Sequence, residues 1–215
     1  MKKIVVMISG SGSNLQAIID SCNKGCIDAE ISCVISNNPS AYGLERAASA
    51  NINSIVINHK DYESRDRYDS ELIKVLDNLN PDLIVLAGFM RILTEKLTYK
   101  FFGKIINIHP SLLPKYPGLN THQEVINNND SIHGVSIHYV SSKLDCGPLI
   151  AQGEIKTKAC ENIDHLIERI HKIEHLIYPE IIKYICEDKI YFKLNEVKFK
   201  NIKITNFIIY KKYEI

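Results

Sequence analysis

The sequence predicts an α/β fold: an open, mostly parallel twisted sheet with helices on both faces, turning antiparallel toward its C-terminal side. Three observations lead there. Over the first two-thirds of the chain, short runs rich in β-branched residues alternate with longer segments of helical period, the pattern of parallel strands joined by crossover helices. Asp82 to Ala87 is a continuous apolar run of the kind a strand covered on both faces requires. His133 to Val140 and part of Leu149 to Ile155 instead alternate in period two about the turn Asp145-Cys146-Gly147-Pro148, which predicts an antiparallel pair.

In order along the chain, Lys3 to Ser9 is a strand ending in glycines, and Asn14 to Cys22 is a helix with Leu15, Ile18 and Ile19 on one stripe. Glu30 to Ser36 is a second strand, stopped by Asn37-Asn38-Pro39-Ser40, and Gly43 to Ala50 is a short alanine-rich helix. Residues 53 to 58 form a third strand, Asp61 to Leu79 an amphipathic helix, and Asp82 to Ala87 the fourth strand. A helix near 94 to 101 leads to a fifth strand, Lys104 to His109, closed by the proline-rich stretch Pro110 to Pro117. Open α/β sheets place ligands at the carboxyl ends of their strands, so residues 107 to 122 are the first place to look for function. Glu161 to Cys186 reads as one long helix, and the lysine-rich remainder as a solvated edge strand protected by its charges.

The 215 residues fit one domain of ordinary size, and 45% hydrophobic with 24% charged residues is a globular mixture. A formal charge of +1 leaves no broad field for nucleic acid or anionic lipid, so neither partner is expected. Apolar runs such as 4 to 8 and 82 to 87 are far shorter than the roughly 20 residues a bilayer demands, and no cleavage site follows the first apolar run. The six cysteines contain no C-x-x-C pair and suit reduced thiols, so the expectation is a cytoplasmic protein without a metal. His171 and His175 are four apart on a helix beside Glu174, but no third ligand is evident.

Gly10-Ser11-Gly12-Ser13-Asn14 follows a strand and opens a helix, where free amides and the positive helix end can hold a phosphate. A dinucleotide fingerprint fails because Leu15 stands where a third glycine is needed, and no Gly-Lys-Ser of a P-loop is present. One terminal phosphate, or a turn that merely packs the helix on the sheet, remain the two readings. Asn107 and His109, two apart at a strand end, share a face. An Asn can donate to an oxyanion without titrating, His109 can supply a proton near neutral pH, and Asp145 can orient the imidazole or take a proton from an attacking amine. These groups suit nucleophilic addition to a carbonyl; a satisfied structural histidine is the plain alternative. A serine-hydrolase use of Ser111 is disfavoured, since it lies in no Gly-x-Ser-x-Gly elbow.

Taken together, Ile8 to Ala17, Ala87-Gly88-Phe89-Met90-Arg91-Ile92-Leu93, Asn107-Ile108-His109-Pro110-Ser111-Leu112-Leu113-Pro114, and His133 to His138 through Asp145-Cys146-Gly147-Pro148 closely resemble the folate-dependent formyltransferases, within them those acting on glycinamide ribonucleotide. The resemblance implies a Rossmann-like formyltransferase domain over 1–188 with a lysine-rich extension over 189–215, expected to form edge strands of the same domain. It also implies transfer of the formyl group of 10-formyltetrahydrofolate, a co-substrate, to the ribonucleotide amine in purine synthesis, by a monomer or homodimer. Asn107, His109 and Asp145 would be catalytic. Gly12, Ser13, Asn14, His171 and Glu174 would hold the ribonucleotide. Arg65, Met90, Arg91, Ile92, Leu93, Ser141, Ser142, Lys143, Leu144 and Asp145 would line the folate pocket. Two residues depart from the family pattern: Cys146 where Gly is usual, and His171 where Gln is common; modest effects on affinity are expected of each. A formyltransferase for another phosphorylated amine or amino sugar, and a non-catalytic phosphate-ligand module, are the alternatives.

Overall fold

The computed structural model describes residues 1–206 and 208–215. The elements in chain order are β1 (Lys2–Ile8), α1 (Ser13–Asn23), β2 (Ala29–Ser36), α2 (Gly43–Ser49), β3 (Ser54–Val56), α3 (Arg65–Leu79), β4 (Leu83–Leu86), α4 (Glu95–Lys100) and β5 (Ile105–His109). Then come α5 (Thr121–Asn127), β6 (Ile132–Tyr139), β7 (Leu149–Lys156), α6 (Ile163–Cys186), β8 (Ile190–Lys193), β9 (Glu196–Phe199) and β10 (Ile209–Lys212). Among the described residues the main sheet runs β10-β7-β6-β5-β4-β1-β2-β3, with β8 and β9 as a separate hairpin.

Strands β3, β2, β1, β4 and β5 are parallel neighbours, β6 is antiparallel to both β5 and β7, and β10 lies parallel to β7. Strand β6 is therefore the one strand of that sheet running against the others. The order reverses at β1, from which the chain first builds outward to β3 and then returns to β4 and β5. That reversal leaves a crevice at the carboxyl ends of β1 and β4, the place where open α/β sheets receive ligands.

Strand β1 is apolar and buried on both faces, as its run of β-branched residues demands. Ile4, Val6 and Ile8 pack with Leu15 and Ile18 of α1 and Ile170, Ile173 and Ile177 of α6. Val5 and Met7 pack on the opposite face with Tyr68, Leu72 and Leu76 of α3 and Leu97 of α4. Full burial of each such side chain is worth roughly 1.5–3 kcal/mol, so these two layers dominate the stability of the sheet.

Several boundaries differ from the sequence reading. The helix expected from Asp61 splits into a single 3-10 turn, His59–Asp61, and α3, because the Ser64 hydroxyl caps α3 by accepting the Arg67 amide. Helix α6 starts after Asn162, whose side chain accepts the Asp164 amide, which frees Glu161 to pair with Arg169. Helix α5 was hidden by the breakers before it: Asn120 adopts φ of 61° and turns the chain into a helix of seven residues. The lysine-rich segment contributes both the β8–β9 hairpin and β10, which lies along β7.

Ile209 of β10 is buried opposite Ala151 of β7. Ile209→Ala is expected to cost about 2 kcal/mol or more in urea denaturation; a loss below about 0.5 kcal/mol, the usual bound for a surface change, would show that β10 does not stabilise the sheet.

Candidate active site

Residues Ser9 to Gly12 carry the chain from β1 to α1. Gly12 has φ of 70°, and a Cβ there would meet the Gly43 Cα at 2.7 Å, so both the left-handed backbone and the approach of α2 require glycine. No side chain caps α1 and no acidic residue stands in its first turn, which leaves the Ser13, Asn14 and Leu15 amides without intrahelical partners. Arg46 of α2 reaches the same loop, its Nε donating to the Ser11 carbonyl at 2.9 Å and its Nη1 to Gln16 Oε1 at 3.1 Å. Free amides, a helix N-terminus and a guanidinium together make a place for a terminal phosphate.

Asn14 joins this loop to α6. Its Nδ2 donates to Glu174 Oε2 at 2.9 Å, while its buried Oδ1 has no partner and is open to a donor such as a ligand hydroxyl. Burial pushes the Glu174 carboxyl up to about 7, and the Asn14 bond offsets only part of that cost. His171, one turn earlier on α6, is exposed and stacks against His175 with ring centres 6.2 Å apart. A depression of about 610 Å³ opens beside Ser13, Gln16, Arg46 and His175.

The second centre forms where β6 runs back along β5. The register sets Asn107 opposite His138 and His109 opposite Ser136. Asp145, in the loop after β6 with φ of 49°, brings in a side chain only 7% exposed. Its Oδ2 accepts the Gly118 amide at 2.8 Å and lies 3.4 Å from His109 Nδ1, and its Oδ1 is 3.7 Å from His138 Nε2. Burial alone would raise the Asp145 carboxyl, but His138, the Gly118 amide and the His109 charge prevail and hold it below the usual carboxylate range. His109 Nε2 donates to the Tyr116 carbonyl at 2.8 Å, so each ring nitrogen faces an oxygen acceptor.

His138 was not singled out from sequence, yet it touches both of the other groups. Its Nδ1 donates to the Tyr139 carbonyl at 2.9 Å. Its Nε2 accepts from Asn107 Nδ2 at 3.3 Å when the ring is neutral, and has Asp145 Oδ1 as its partner when the ring is protonated. Alternation in residues 133–140 put His138 on a strand, but the cross-strand register that pairs it with Asn107 has no local signal.

These groups line one end of a cleft of about 630 Å³ whose walls are Gly88 to Leu93, Gly118 to His122 and Val140 to Asp145. Met90, Arg91, Ile92, Leu93, Ser141, Ser142, Lys143 and Leu144 all lie in that lining. Arg65 does not: it is the exposed first residue of α3. Cys146 is exposed and has no left-handed backbone, so the thiol side chain fits without strain where a glycine is usual. Gly147 is the demanding position, since a Cβ there would sit 1.7 Å from the Tyr139 carbonyl oxygen. Ser111 is buried and donates to the Lys115 carbonyl at 2.6 Å, tying the loop rather than facing the cleft. Among the described residues no group of three His, Cys, Asp or Glu side chains is placed to hold a metal ion.

Gly12→Ala is expected to destabilise the protein by at least about 1–2 kcal/mol through left-handed strain alone, read from urea midpoints; an unchanged midpoint would contradict the close approach of Gly43. Glu174 makes a pH prediction. Its folded pKa lies above its ordinary value of 4.5, so the stability it contributes is complete below 4.5 and is lost as pH rises through about 7. Glu174→Gln should therefore gain melting temperature relative to the parent protein between pH 5 and pH 8. A difference that stays flat over that range would refute the buried, proton-retaining carboxyl.

Comparison with known proteins agrees with this architecture. The model of the formyl transferase family matches residues 2–182. Phosphoribosylglycinamide formyltransferase of Escherichia coli is 46% identical over 187 residues, 87% of this chain and 88% of that one. The protein of the same name from Haemophilus influenzae is 46% identical over 195 residues, 91% of this chain and 92% of its own. The structure of phosphoribosylglycinamide formyltransferase from Coxiella burnetii in complex with CHES superposes with a TM-score of 0.92 at 43% identity, covering 98% of this chain and 99% of the other. The fold, the site and the likeness over the greater part of its length lead to one conclusion: this chain belongs to the formyl transferase family.

Proposed function

We propose that this protein transfers the formyl group of 10-formyltetrahydrofolate to the primary amine of glycinamide ribonucleotide, giving formylglycinamide ribonucleotide and tetrahydrofolate, a step of purine biosynthesis. The observation that carries the reading is the meeting of Asn107, His109 and Asp145 at the end of the cleft walled by Gly88 to Leu93. The name shared by relatives that align over most of their length supports the choice of substrate.

The uncharged amine attacks the formyl carbon, forming the new C–N bond and moving the carbonyl electrons onto oxygen. Asn107 has two amide hydrogens; one is engaged with His138, and the other is free for that oxyanion. His109 carries the complementary positive charge, with Asp145 keeping the ring turned toward the cleft. The attacking nitrogen, now cationic, loses a proton to Asp145 through water. Collapse of the intermediate breaks the bond to N10 of the folate, which takes up a proton from His109 or water. Only charge that develops in the transition state is stabilised more strongly there than in the ground state, which is what accelerates the step. The ribonucleotide phosphate is assigned to Gly12, Ser13 and Asn14, the adjoining sugar to Glu174, and His171 to the ribonucleotide without a more particular contact. Met90 to Leu93 and Ser141 to Asp145 hold the folate. We further place the reaction in the cytoplasm, without nucleic-acid or membrane partners, by a monomer or homodimer.

In a folate absorbance assay with both substrates, His109→Ala and Asp145→Ala should each lose at least about a hundredfold in kcat, and Asn107→Ala a similar factor. Ser111→Ala should stay within about threefold, because its hydroxyl only ties the loop. Absence of folate-dependent turnover by the parent protein would overturn the proposal. Preference for another phosphorylated amine in competition would reassign the substrate. Variants that lower melting temperature without lowering turnover would mark the three residues as structural.

A further inference from the structure

We propose that Asp69 is a positioning residue for the folate wall of the cleft: its carboxylate grips the Thr94 amide and thereby sets where Gly88 to Leu93 stands. The inference rests on reading the cleft as the folate site.

The wall segment belongs to no helix or strand, so no ladder of hydrogen bonds fixes it. It is held at its ends. At the near end the Ser9 amide donates to the Gly88 carbonyl at 3.1 Å, and Ser9 Oγ accepts the Met90 amide at 2.7 Å while donating to Asn37 Oδ1. At the far end Asp69 Oδ2 accepts the Thr94 amide at 2.5 Å. Between these points Phe89 and Leu93 sink into the core beside Leu72, which leaves Met90 69% and Ile92 49% exposed on the cleft side. Losing either end therefore moves the residues that a bound pterin or benzoyl ring would touch.

Packing alone does not account for the residue chosen. Asp69 is 1% exposed, its Oδ1 has no partner, and burial drives its carboxyl up from the ordinary range. A carboxylate buried with one oxygen unpartnered is costly, and an uncharged acceptor would satisfy the same amide at less cost. What the charge adds is attraction for cations: Arg65 and Arg91 both favour its ionised form. Arg91 belongs to the wall itself, lying over the Tyr68 ring at 5.4 Å with its Nε unpartnered. Asp69 thus secures the wall through the Thr94 amide and draws its one cation inward.

The test uses the full chain, a non-reactive analogue of 10-formyltetrahydrofolate with carbon in place of N10, and titration calorimetry beside steady-state kinetics. Asp69→Ala is expected to raise the analogue Kd and the folate KM by about tenfold or more, as for loss of a hydrogen bond to a charged group. The ribonucleotide KM should stay within about twofold and kcat within about threefold, since those depend on groups outside the wall. Asp69→Asn, which keeps an acceptor for the Thr94 amide but loses the attraction for Arg91, should recover part of the loss. Thr94 has φ of −71°, which suits proline, so Thr94→Pro deletes the amide donor from the other side, together with the Thr94 hydroxyl that also steadies the carboxylate, and should reproduce the folate-selective defect even if Asp69→Ala fails to fold. Unchanged folate affinity in these variants would overturn the proposal. So would a joint change of both KM values and kcat that Asp69→Asn does not repair. If the parent protein itself fails to bind the analogue, the folate reading of the cleft falls and this inference with it, an outcome distinct from a defect seen only in the variants.

Discussion

A carboxylate taken out of water has to be met by donors, and much of the cleft end of this molecule is arranged around meeting that demand for Asp145. The Gly118 amide, His109 and His138 come from three separate stretches of chain, and each is placed by a different part of the fold. Strand β5 supplies His109, the antiparallel return of β6 supplies His138, and the loop before α5 supplies the amide. The left-handed backbone at Asp145 and the glycine at 147, pressed against the Tyr139 carbonyl, turn the loop so that the carboxylate points inward. Remove the reversed direction of β6 and Asn107 would no longer lie across from His138. The reversed direction of β6 is thus the topological condition for the site.

The rest of the sheet explains why the two candidate ligand places lie at neighbouring strand ends. Strands β1, β4 and β5 end side by side, and each carboxyl end carries its own device: the glycine loop after β1, the irregular wall after β4, and Asn107 with His109 at the end of β5. Ser9 lies between the first two, with its backbone and side chain both engaged by residues 88–90 and with the glycine loop beginning at the next residue. Helix α6 closes the arrangement from one face. It carries Glu174 to Asn14, and one turn on, the Tyr178 hydroxyl contacts the carbonyls of Leu86 and Ile106 beneath the wall and β5.

Much of this was legible in the sequence, for physical reasons that differ by element. The strands were visible because a sheet buried on both faces needs continuous apolar runs, as in Ile4 to Ile8. The glycine loop and the Asn-His pair were visible because polar or flexible residues at strand ends break that pattern at fixed spacing. Helix α5 was not visible, since its seven residues follow a dense set of breakers and begin from a left-handed asparagine. His138 and Asp69 escaped notice for another reason. Each looks locally like an ordinary position on a strand or helix, and its importance comes from a partner 31 and 25 residues away. Such pairings are decided by register and packing, which no local spacing encodes.

The two buried carboxylates of the site show how environment assigns roles to identical chemistry. Asp145 has an amide and two imidazoles around it and is held ionised, fit to orient a cation and accept a proton. Glu174 has only the Asn14 amide and retains its proton up to about pH 7. An acid in that state is a poor partner for a nearby anion in its charged form but a good one for a hydroxyl, which can donate to it or accept from it. The near-neutral chain charge is consistent with this economy. On the proposed reading, a phosphate would need only the three free amides of α1 and Arg46, and a sugar only Asn14 and Glu174, a few local groups and no broad electrostatic field.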